Sequence, residues 1–187
     1  MKMALFIDNL TTMLYVLTAA DVYVAYVLAK GRGMGRESSG PLLGLGFIAL
    51  ILGASVDLRW PLPGGYNIVY GDPYVLFAAL LISAGVMSLV QSSLKGIEGL
   101  GVPMGIFVII YGLSILENGL STEPLVAASL FVLEGLSAII ASIALARGGR
   151  APSYAAIALL GLSAIVALAI VVPATFVHPV AFSKWFP

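Results

Sequence analysis

The sequence predicts an all-α, polytopic membrane protein: a bundle of six transmembrane helices without an extramembrane domain. Three observations carry that prediction. First, the 187 residues are 60% hydrophobic and only 10% charged, whereas soluble domains carry about 25% charged residues. The apolar residues are spread over the whole length, which leaves no stretch for a soluble domain. Second, three segments share one punctuation: an acid (Asp8, Asp72, Glu123), an apolar run, and a base followed by glycine (Lys30-Gly31, Lys95-Gly96, Arg147-Gly148). Each run is long enough to cross a bilayer, which takes ~20 residues at 1.5 Å rise each. The acid and the base complement the two ends of the helix dipole, and glycine is the favoured residue after a last turn. Third, Pro41, Pro73, Pro103, Pro124 and Pro152 fall at or near helix starts, where a missing N–H costs nothing.

Taken in order, the spans are expected at about 9–29, 41–56, 73–94, 101–116, 124–146 and 153–172. The first is read as a retained helix and not a cleaved leader. Only Lys2 precedes it, Asp8 and Asp21 interrupt it, and no small-x-small cleavage site precedes Lys30. The second and fourth are short and can tilt little. Pro173 is read as the end of the sixth.

Basic residues orient the bundle. Lys30, Arg32, Arg36, Lys95, Arg147 and Arg150 follow the odd spans, against Lys2, Arg59 and Lys184 on the other side. The odd loops are therefore expected in the cytoplasm of a multi-pass protein of the cell membrane, with both termini outside. A weak helical-hairpin repeat accompanies this pattern, pairing spans two with three, four with five, and six with one. Capping and charge orientation alone suffice to produce it; the alternative is a bundle with approximate internal symmetry, as in many transporters.

Several function classes fall away. A formal net charge of zero provides no basic face for nucleic acid. The absence of cysteine removes disulfides, thiolate metal sites and thiol catalysis. One histidine, His178, cannot supply two haem ligands, and no metal or cofactor is expected. No His-Glu-x-x-His, Gly-x-Ser-x-Gly or Asp-rich diphosphate motif is present, which argues against an enzyme.

Two acids lie deep. Asp21 stands nine residues before Lys30, roughly 13 Å from that helix end, and Glu134 thirteen residues before Arg147, roughly 20 Å from its own. A charged acid at such depth costs at least ~2.5–3.5 kcal/mol. No basic residue is expected beside either one, so both should be largely protonated or face a water-filled cavity. Tyr111 and Ser83 come near the same depth and complete a candidate proton- or cation-binding set. The other reading is structural, with protonated acids bonding neighbouring helices.

A second polar set is expected at the outer side: Asp57, Arg59, Trp60, Tyr66, Asn67, Tyr70, Asp72, Glu117 and His178, shaping a vestibule or simply a salt-bridged surface. Trp60, Tyr66 and Tyr70 suit the membrane interface. Asp57 and Glu117 oppose the dipole at their helix ends, which asks for a partner, and Arg59 is the nearest. Pro63-Gly64-Gly65 reads as a tight turn. The run from Pro63 to Pro73, Pro-Gly-Gly-Tyr-Asn-Ile-Val-Tyr-Gly-Asp-Pro, set in a short six-span chain, resembles a family of archaeal six-helix integral membrane proteins of unknown function. The resemblance implies the fold and no activity.

Small-xxx-small pairs (Gly40/Gly44, Ala49/Gly53, Ala84/Ser88, Ser88/Ser92, Gly101/Gly105, Ala138/Ser142) let helices approach closely, within a compact bundle or a homo-oligomer. The leading expectation is a small transporter or channel-like protein moving protons, a cation or a small solute. The rival is a non-catalytic subunit or scaffold of a larger membrane complex. A third reading is a lipid-acting membrane enzyme using His178 and Glu117. The expected partners are membrane lipid and further copies or subunits, not nucleic acid.

Overall fold

The computed structural model describes residues 9–30, 35–91 and 94–182. Six helices follow one another: α1 (Asn9–Ala29), α2 (Ser39–Arg59), α3 (Tyr66–Gln91), α4 (Glu98–Asn118), α5 (Pro124–Arg147) and α6 (Arg150–Phe182), with a 3-10 turn over Arg36–Ser38. All six are long and apolar enough to cross a membrane, and no strand occurs among the described residues. Asp8, Gly31, Arg32, Ser92, Lys2 and Lys184, used above for capping, packing and orientation, lie outside the described residues.

Two prolines, Pro73 and Pro173, act differently from expectation. Pro73 lies inside α3 because that helix begins at Tyr66, a turn or two early. Asn67 is the reason. Its side chain is fully buried. The amide oxygen accepts from Leu62 N–H at 2.8 Å, and its nitrogen donates to the carbonyls of Leu62 and Gly64 at 2.6 and 2.9 Å. These bonds bind the Pro63-Gly64-Gly65 turn to the first turn of α3, and Trp60, left-handed at φ 50°, closes α2 before it. Asp72 is therefore a helical residue, not a loop residue. Pro173 and Pro179 lie inside α6, which runs on to Phe182. Contacts with α1 hold this extension: Tyr15 and Thr175 hydroxyls are 2.7 Å apart, and Thr11 lies 3.2 Å from Nδ1 of His178. Tertiary contact thus outweighs the ~3 kcal/mol local cost of an interior proline.

Each helix packs on its chain neighbours and α6 closes back on α1, forming a ring. The closest pairs are α2–α3, α4–α5 and α1–α6, the three hairpins read from the caps. Glycine permits the first two approaches. A Cβ at Gly46 would come 2.7 Å from Ile82, and one at Gly85 2.8 Å from Leu43. In α4–α5 the backbones themselves meet: a Cβ at Gly105 would stand 2.4 Å from the Gly135 carbonyl oxygen, and the reverse holds equally. The Gly101/Gly105 and Ala138/Ser142 pairs therefore face each other, and Gly101 abuts Ser142. Gly40 and Gly44 face open space. The α1–α6 pair packs through Met13, Leu17 and Ala167 instead. At one end of the ring sit the start of α1, the end of α6 and the Trp60–Tyr66 turn (the terminal end). Lys30, Arg36, Lys95, Arg147 and Arg150 mark the other (the basic end), where Arg147 pairs with Glu98 at 3.3 Å.

Candidate functional site

The ring encloses a cavity of about 760 Å³ lined by residues of all six helices. Its wall is overwhelmingly apolar. Thr11, Tyr70, Glu123 and His178 reach it at the terminal end, and Leu42, Ala84 and Leu145 line it toward the basic end. Between them stand Asp21, Tyr74, Glu134 and Ser137.

Asp21 and Glu134 are brought together. Their carboxyl groups lie close enough to act on each other, where α1 touches α5. Ser163 on α6 donates its hydroxyl to Oε1 of Glu134 and also reaches Asp21. Asp21 is 2% exposed and Ser137 1%, and neither Oδ2 of Asp21 nor Oγ of Ser137 has a hydrogen-bond partner among the described residues. The described ion pair, Arg147–Glu98, lies at the basic end, and among the described residues no basic side chain acts on either acid. Two adjacent carboxyl groups in an apolar setting cannot both ionise; they share a proton or take up a cation. Tyr74 stands close enough to feel both acids. Its hydroxyl donates to the Met13 carbonyl at 2.7 Å, which fixes the ring beside them, and Phe77 follows with ring centroids 5.4 Å apart.

Tyr111 and Ser83 do not join this pair. Tyr111 donates to Oδ2 of Asp72 at 2.7 Å, and neither residue lines the cavity. Equal depth did not bring them in because their sides of the helices look elsewhere. Ser163, Ser137 and Tyr74 take the expected place. Ser163 had a legible signal: it stands thirteen residues after Arg150, as Glu134 stands thirteen before Arg147.

The expected outer set divides. Asp57 packs into the notch left by Gly71, where a Cβ would fall 1.6 Å from its Oδ1. Asp57 lies close enough to Asp72 to repel it, and Asp72 in turn accepts from Tyr111. Tyr70 donates to the Leu120 carbonyl at 2.9 Å and stacks on Tyr66 at 6.2 Å. Tyr70 and His178 line the cavity, and Asn67 holds its turn. Arg59, Trp60 and Glu117 are exposed. Arg59 forms no ion pair with Asp57 or Glu117 among the described residues, and Glu117 makes no described contact with His178. No group of three or more His, Cys, Asp or Glu that could hold a metal occurs among the described residues.

No curated protein and no solved structure matches this chain. A family model does, over residues 3–180, well beyond half of the sequence. The chain therefore belongs to the family described as protein of unknown function DUF981.

Proposed function

We propose that this protein is a carrier of the cell membrane that exchanges protons for a small cation or cationic solute through its central cavity. The observation that supports this reading is the Asp21–Glu134 pair at mid-depth, Asp21 buried and Glu134 half-buried, both lining the cavity and without a basic partner among the described residues. Acids in that position are expensive and are functional by default. With both carboxyls protonated the pair is neutral. Releasing one proton and accepting one monocation leaves it neutral again, so the exchange moves no net charge into the apolar wall. The basic residues gathered at one end support a cytoplasmic location for it and external termini.

The test is proton movement in liposomes, read by an internal pH dye under an imposed pH gradient. Asp21→Asn and Glu134→Gln keep shape and remove the exchangeable proton. The expected result is loss of flux in both, with thermal unfolding close to wild type. Wild-type flux in both folded variants overturns the reading.

A second reading, a subunit of a larger membrane complex, draws on Gly40 and Gly44, which lie exposed on α2 with nothing against them. Mass spectrometry of the protein extracted in mild detergent decides it: stoichiometric partners favour the subunit, a lone chain the carrier.

A further inference from the structure

We infer that the cavity takes a compact lipophilic amine, its protonated nitrogen held by Asp21, Glu134 and the hydroxyl of Ser137 and its apolar body filling the surrounding space. The inference rests on the carrier reading and names its substrate class.

The cavity's size and wall define the body. About 760 Å³ lies within the range of small-molecule sites, roughly 300–1,000 Å³, and is far larger than a bare inorganic ion. An apolar wall offers such an ion no replacement for its hydration shell, whereas it rewards an apolar body by burial.

The polar groups define the head. The acid pair carries one negative charge when it shares a single proton, so one positive charge neutralises it. A neutral alcohol does not. The head must also donate hydrogen bonds. Among the described residues Oδ2 of Asp21 has no donor, and Oγ of Ser137, one turn along α5 from Glu134, is buried without a partner. Both residues line the cavity. An ammonium group has three N–H donors, enough for both carboxyls and the hydroxyl; a quaternary nitrogen has none. The ring of Tyr74, fixed by its bond to Met13, adds an aromatic surface, and the faces of such rings attract cations. No lysine or arginine among the described residues is one of the groups acting on either acid, and Arg147 is engaged with Glu98 at the basic end. The groups facing the pair are Ser163 from α6 and Tyr74 from α3, neither of which brings a positive charge.

The test uses the full chain in lipid nanodiscs and two probes of one shape, 1-adamantylamine and 1-adamantanol, with empty nanodiscs subtracting partition into lipid. Calorimetry is expected to give the amine at least about tenfold tighter binding than the alcohol, a difference of ~1.4 kcal/mol. Glu134→Gln should remove that preference and leave the alcohol unchanged. Ser137→Ala, which keeps both acids, should weaken the amine several-fold and not the alcohol. Equal affinities in the wild type, or an amine preference that survives both substitutions, overturn the inference. If the preference is absent while Asp21→Asn still abolishes proton flux, the substrate class falls and the carrier reading stands; loss of both results overturns both.

Discussion

Two pairs of neighbouring acids stand among the described residues, and their surroundings set them apart. Asp57 and Asp72 meet near the terminal end, partly exposed, with a tyrosine hydroxyl on Asp72. Asp21 and Glu134 meet halfway through the bundle, on the apolar wall of the cavity, with one oxygen of Asp21 lacking a donor among the described residues. The first pair is partly exposed, so contact with solvent can disperse its repulsion. The second must resolve its repulsion internally, by binding a proton or a cation. Similar chemistry thus stands partly exposed in one pair and faces the central cavity in the other, where the proposed exchange would take place.

The largest expected effect tests that contrast directly. In liposomes, Asp21→Asn and Glu134→Gln should lower proton flux by more than about tenfold, above ~1.4 kcal/mol in barrier, while Asp57→Asn and Asp72→Asn should change it by less than about twofold. Comparable losses in all four would erase the distinction. Next comes Gly135→Ala. Its added methyl meets the Gly105 carbonyl at 2.4 Å, a backbone atom that cannot step aside, so α5 must shift and carry Glu134 with it. A cost at the upper end of the ~1–3 kcal/mol range for overpacking is expected, read from unfolding in mixed micelles, together with lost flux.

Gly71→Ala is gentler because the obstacle is the tip of the Asp57 side chain. It should cost about 1 kcal/mol, and the cost should largely vanish when Asp57→Ala is combined with it, as contacting residues couple in double-mutant cycles. Additive losses would show that the carboxylate does not fill that notch. The smallest effect is Tyr111→Phe, which removes one hydrogen bond to Asp72. A loss of ~0.5–1.5 kcal/mol is expected with flux unchanged; reduced flux would make the Asp57–Asp72 pair part of the pathway.

Much of the architecture was legible because it depends on length, caps and charge. Counting from Lys30 and Arg147 placed Asp21 and Glu134 at depth, and the caps announced which helices pair. What could not be read was rotation. Apolar residues cover nearly every face of each span, so no stripe said which side looks inward, and Tyr111 and Ser83 were grouped with the acids on depth alone. The start of α3 differs for another reason: Asp72-Pro73 carries a strong start signal, yet the local bonds of Asn67 to Leu62 and Gly64 begin the helix before it. Pro173 failed as a stop because α1 braces the residues beyond it.

The unequal seams of the ring have a mechanical consequence. The α2–α3 and α4–α5 pairs are locked by glycine crossings, while α1–α2 and α3–α4 meet more lightly. A wall built of stiff panels and compliant joints deforms most cheaply by tilting whole panels, since bending within one would drive backbone into backbone. The volume at its centre is then governed by a few angles between panels and not by dozens of side-chain torsions, so a small rotation at either light joint is enough to widen one end of the chamber as it narrows the other.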